Sequence, residues 1–98
     1  MITIKTEWYE GEVIPAIGRY GNGRIAVQLK CPDGEPLCTA TVNLPDDSIK
    51  DGYVFLKGWS ENEGLPEALE EAGMVKLTGR KVATGFVYAQ EAELLIKV

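Results

Sequence analysis

Ninety-eight residues, 45% of them hydrophobic and 26% charged, make a single domain over residues 1–98, large enough to bury a core without metal or disulfide staples. No apolar run is long enough to cross a bilayer, and the opening Met-Ile-Thr-Ile-Lys-Thr alternates like a strand where a signal peptide would carry a long apolar centre, so a cytosolic location is expected. The formal net charge of −5 opposes binding to nucleic-acid backbones, which relies on clustered Lys and Arg; it suits solubility, or a partner with a basic surface.

Residues 2–8 alternate as a first short strand, with Glu10-Gly11 read as the turn that ends it. A second strand over 12–20 sets Ile14, Ala16 and Tyr20 on one side, and Pro15, having no N–H for a ladder, argues for an edge or a bulge. Asn22-Gly23 is a two-residue hairpin signal, because a type I′ turn needs positive φ at both central positions. That loop pairs Tyr20 with Ile25, Gly18 with Val27, Ala16 with Leu29 and Ile14 with Cys31. One face is then apolar, and Arg19, Arg24, Gln28 and Lys30 face water.

The next turn, Pro32-Asp33-Gly34-Glu35, admits several registers. A three-residue loop closed by a glycine bulge pairs Cys31 with Glu35, but it turns Thr39 and Thr41 toward the core and wastes Ala40 and Val42, which argues against it. With Asp33-Gly34 as a two-residue loop, Cys38 faces Leu29 and lies diagonal to Cys31, a poor distance for a disulfide. Only a Gly34-Glu35 loop sets the thiols directly opposite each other. Two small, reduced, apolar side chains is the preferred reading.

A strand over 37–44 ends at Pro45, a polar connection follows, and Tyr53-Val54-Phe55-Leu56-Lys57 forms a compact strand rich in β-branched and aromatic residues. Beyond it lies the one clear helix. Pro66 is tolerated only in a first turn, so the helix starts near residues 63–65, with Ser60 and Glu63 organising a turn that leads Trp59 into it. Leu65, Ala68, Leu69 and Ala72 recur at i, i+3, i+4 and i+7 and face a core; Glu67, Glu70 and Glu71 take the other side, and Gly73 closes the helix. Residues 74–77 return to the sheet or its rim, Thr78-Gly79-Arg80-Lys81 turns, and 82–98 hold one or two closing strands, with a bend at 90–93. The expectation is an α+β domain: an antiparallel sheet of about five to seven strands with one helix on its apolar face. Ile25, Val27, Leu29, Ala40, Val42, Phe55, Leu65 and Leu69 supply most of the core.

The chain has no histidine and two cysteines. That removes four-ligand Cys/His zinc sites within one chain and the usual base for a Ser or Cys nucleophile. Asp46 with Asp47, and Glu61 with Glu63, are carboxylate pairs that solvated loops explain more simply than acid–base work or cation binding. The glycine-containing stretches 21–23 and 78–80 lack phosphate-loop and dinucleotide spacing and read as turns. We therefore expect no enzyme, no cofactor and no metal. Trp59 is a candidate binding anchor, although beside a helix start a tryptophan more often seals a small core. Glu61, Glu63, Glu67, Glu70 and Glu71 form an acidic approach and face that would suit a basic protein groove; a plain solvent-facing helix explains them equally well.

Tyr20-Gly-Asn-Gly-Arg24, Pro32-Asp-Gly-Glu-Pro36, Thr41-Val-Asn-Leu-Pro45, Trp59-Ser-Glu-Asn-Glu-Gly64, and Thr78-Gly-Arg80 with Thr84-Gly-Phe86 together resemble a family of small uncharacterised proteins carried by phages, plasmids and other mobile elements of gut bacteria. The match runs from about Arg19 to Ala89. It carries no catalytic residue across. The resemblance implies an accessory role, in a class that includes anti-CRISPR and anti-restriction inhibitors of host defence, and hence a protein partner such as a host nuclease. Two other classes stay open. A small enzyme or nucleotide-handling protein would show a pocket lined by converging carboxylates and Arg19, Arg24 or Arg80. A structural or regulatory subunit would show its own homo-oligomer interface.

Overall fold

The computed structural model describes residues 2–96; the Glu61 side chain, and residues 97 and 98 at the end of the expected closing strand, lie outside the described residues. Among the described residues, seven strands and one α-helix follow in the order β1 (Ile2–Lys5), β2 (Glu10–Arg19), β3 (Ile25–Lys30), β4 (Pro36–Thr39), β5 (Tyr53–Leu56), α1 (Leu65–Glu71), β6 (Val75–Thr84) and β7 (Val87–Leu94). All pairings are antiparallel, in a four-stranded sheet β1-β2-β3-β4 and a three-stranded sheet β5-β7-β6. This is the expected α+β architecture.

The chain just past β4 joins the two sheets. Ala40 N–H donates to Val27 O at 2.9 Å, Lys57 N–H to Ala40 O at 2.8 Å and Val42 N–H to Phe55 O at 3.0 Å, while Thr41 bridges to Leu56. Residues 40–42 thus bond to β3 on one side and β5 on the other, so the strand series runs on and leaves β1 and β6 as its outer edges. Helix α1 packs against both of those edges. Beneath it lies the main core, with Val27, Leu29, Ala40, Leu56, Leu65, Leu69 and Met74 buried. A smaller core occupies the other face of the three-stranded sheet, where Phe55, Val82 and Ala89 are covered by Val42, Leu44, Ile49 and Trp59.

Several local expectations are corrected. The first turn is at Thr6–Tyr9, where Thr6 Oγ1 accepts from the N–H groups of Trp8 and Tyr9 at 3.1 Å; Gly11 lies inside β2. The second hairpin closes on three residues, with Tyr20 N–H donating to Arg24 O at 2.7 Å and Gly23 at φ 86° forming a glycine bulge. That extra loop residue slips the register by one: Arg19 pairs with Ile25, Ile17 with Val27 and Pro15 with Leu29. Val13 and Ile17 therefore turn inward with β3, and Ile14 faces solvent. Pro15 sits beyond the stretch of β2 that β1 covers, Glu10–Val13, so its missing N–H interrupts no pairing there.

The third hairpin uses the loop that the sequence argument disfavours. Cys31 N–H donates to Glu35 O at 2.8 Å, around Gly34 at φ 92°. A bulge then restores the core pattern: Lys30 pairs with Pro36, yet Leu29 pairs with Cys38, because Leu37 is the extra residue. Turn and strand each follow their own local rule, and the bulge absorbs the conflict. Thr41 is nevertheless fully buried, and Val42 joins the smaller core. Finally, Thr78-Gly79-Arg80 is a bulge inside β6, opposite Glu91 of β7, and residues 90–93 are regular strand.

Candidate interaction surface

Pro66 falls in the first turn of α1 and Gly73, at φ 81°, follows its last turn. Of the carboxylates on this helix, two make bonds within the chain. Glu70 accepts the backbone N–H of Leu77 at 2.8 Å, and Glu67 accepts Gln90 Nε2 at 2.8 Å. Glu63 and Glu71 are exposed; Glu71 borders a shallow opening with Thr3 and Lys5. The backbone of Glu61 lies in a short 3-10 turn, Ser60–Asn62. Asn62 fixes that turn by donating from Nδ2 to Thr39 O at 3.0 Å. Trp59 is half-buried against the smaller core, so it lies apart from the exposed helix face.

Aromatic groups open to solvent lie elsewhere, and one of them, Trp8 in the β1–β2 turn, is 63% exposed. Phe86, at the tip of the β6–β7 hairpin, is 106% exposed, and Tyr88, two residues along β7, is 63% exposed. Thr84 pairs with Val87, so Gly85 and Phe86 alone make the turn, and Gly85 carries the positive φ of 63° that a type II′ geometry needs at its first position. Side chains alternate along β7. Ala89 points into the smaller core, while Tyr88 and Gln90 share the opposite face. The Gln90 bond to Glu67 therefore ties the helix's acidic edge to the face that carries Tyr88. Sequence reasoning missed this arm because 82–98 was read only as closing strand. The signal was there in Gly85-Phe86, a turn pair with an aromatic at a position that cannot face a core.

A second feature is a cleft of 190 Å³ between the β2–β3 turn and the segment leading into β5, lined by Arg19, Arg24, Lys50 and Asp51 among others. Arg24 is held by two backbone carbonyls, Nη1 to Leu44 O at 2.6 Å and Nη2 to Pro45 O at 3.4 Å; Arg19 Nη1 donates to Gly23 O at 2.8 Å. Arg80 is elsewhere, paired with Glu91 at 2.6 Å. Two arginines thus do converge on a cleft, but one carboxylate accompanies them where the enzyme reading called for several. Comparison with protein-family models, with curated proteins and with solved structures finds no match to this chain.

Proposed function

We propose that this chain is a non-catalytic protein-binding accessory protein of a mobile genetic element, acting in the cytoplasm as an inhibitor of a host defence component such as a nuclease. The observation that carries the binding reading is the β6–β7 hairpin, with Phe86 bare at its turn and Tyr88 bare on the face of β7 that Gln90 links to Glu67 of α1. Aromatic side chains are the commonest anchors of protein interfaces, and neighbouring carboxylates steer a basic partner into contact. The resemblance of the turn motifs to small proteins of mobile elements supports the biological setting.

The test is affinity capture from host lysate with mass spectrometry, run in parallel with Phe86→Ser/Tyr88→Ser and Glu63→Gln/Glu67→Gln/Glu71→Gln variants. A specific partner should be lost with the first variant. With the second, association should slow several-fold at low ionic strength and converge on the parent as salt is added. A partner retained by both variants would remove this surface from the proposal. Light scattering that shows a dimer broken by Phe86→Ser would instead assign the arm to self-association.

A further inference from the structure

We propose that the cleft between the β2–β3 turn and the start of β5 is a binding site for a phosphate group carried on a small molecule. It draws on none of the residues of the proposed protein-binding surface. Arg19, Arg24 and Lys50 line it against the single carboxylate of Asp51, in a chain whose formal charge is −5. Positive charge is gathered here against the overall balance.

Among the described residues, the cations are also held in place with no carboxylate in ion-pair contact. Both guanidinium groups are oriented by backbone carbonyls, Arg24 by Leu44 and Pro45 and Arg19 by Gly23. A carbonyl fixes the plane of the fork but leaves its full charge, and each guanidinium has five donor hydrogens, so several remain for a ligand. Lys50 lies with Nζ 5.8 Å from the centre of the Tyr53 ring, a cation–π contact that leaves its ammonium charge intact.

Two planar forks and an ammonium match a tetrahedral dianion better than a singly charged carboxylate, because phosphate offers more acceptor oxygens and more charge to the same three cations. At 190 Å³ the cleft is smaller than the roughly 300–1,000 Å³ of sites that enclose a whole drug-sized ligand. It has room for the phosphate and the nearest atoms of its carrier, with the rest of the molecule outside.

Adenosine 5′-monophosphate, inorganic phosphate and adenosine, titrated separately into the 15N-labelled protein at constant ionic strength, test this. The first two should shift the amide signals of Gly23, Asp51 and Gly52, and adenosine should not. Arg19→Gln/Lys50→Gln should weaken the phosphate-dependent shifts by about tenfold, since it removes two of three charge-assisted partners. Lys50→Gln alone, at an exposed position, should weaken them several-fold and guards against misfolding of the double variant. The proposal is overturned by an absence of shifts at millimolar ligand, by equal shifts with adenosine, by shifts that chloride reproduces, or by unchanged affinity in Lys50→Gln.

Discussion

The Glu70 carboxylate, in the last turn of α1, accepts the backbone N–H of Leu77 in β6 at 2.8 Å. Strand β6 is the edge of its sheet, and an open edge amide is a template for pairing with another chain. The helix thus covers that edge with its apolar side and satisfies part of it with a charged one. Glu70 is therefore a structural residue as well as an acidic one. Glu70→Ala should lower stability by about 0.5–1.5 kcal/mol, at the modest end for a charge-assisted bond because water can replace it. Urea unfolding checks this, and Glu67→Ala, at an exposed side-chain pair, should cost less.

Thr41 is the buried polar side chain on which the junction between the two sheets turns. Its Oγ1 accepts Val27 N–H at 3.1 Å and lies 2.9 Å from the Tyr20 hydroxyl. Thr41→Val keeps the shape but leaves the Val27 amide unpaired inside the protein, which should cost about 1–3 kcal/mol. Tyr20→Phe removes only the outer partner and should cost less than Thr41→Val. Equal losses in thermal or urea unfolding would show that the Tyr20 contact carries the effect.

Leu69 is fully buried between α1 and the strands. Leu69→Ala should destabilise by about 2–5 kcal/mol through lost burial and the cavity left behind. A change below about 0.5 kcal/mol in urea unfolding would mean that the helix is not packed there.

The helix, with its start near residues 63–65 just before Pro66 and its closure ahead of Gly73, and the core positions Val27, Leu29, Ala40, Phe55, Leu65 and Leu69 were legible from periodicity and from the fixed preferences of proline and glycine. Registers were not, because a dipeptide such as Asn22-Gly23 serves both a two-residue and a three-residue loop, and one extra residue turns the whole of β2 over. The inward face of β2 moved from Ile14 and Ala16 to Val13 and Ile17 for that reason alone. Bulges were equally hidden: Leu37, and the Thr78–Arg80 segment, look like strand or turn until a partner strand is present to count against. At the candidate surface, the acidic helix face could be read from spacing, but the engagement of Glu67 and Glu70 depends on Gln90 and Leu77, which reach the helix only through the fold. The cleft was legible only as Arg19 and Arg24 near a turn; Lys50 joins them from a distant part of the chain.

Tyr9 carries a pH dependence whose direction can be stated. Its hydroxyl donates to Glu12 O at 2.8 Å, and the phenol is raised above its ordinary value of 10.0, first by desolvation, then by the Cys31 thiol through charge and a hydrogen bond, with Asp33 and Glu12 adding further negative charge. The folded chain thus keeps the phenol proton to higher pH than the unfolded chain does. Below pH 10 both states hold it and the contribution to stability is fully present; as pH rises from there through the raised folded value, the unfolded state ionises first and stability falls. The parent should therefore lose more stability than Tyr9→Phe as the pH is taken from 9 to above 10, measured as the difference between their unfolding midpoints at each pH. Cys31→Ser removes the sulfur neighbour and should shrink that difference, whereas a Tyr9→Phe protein with the same alkaline slope as the parent would show that the phenol titrates alike in both states.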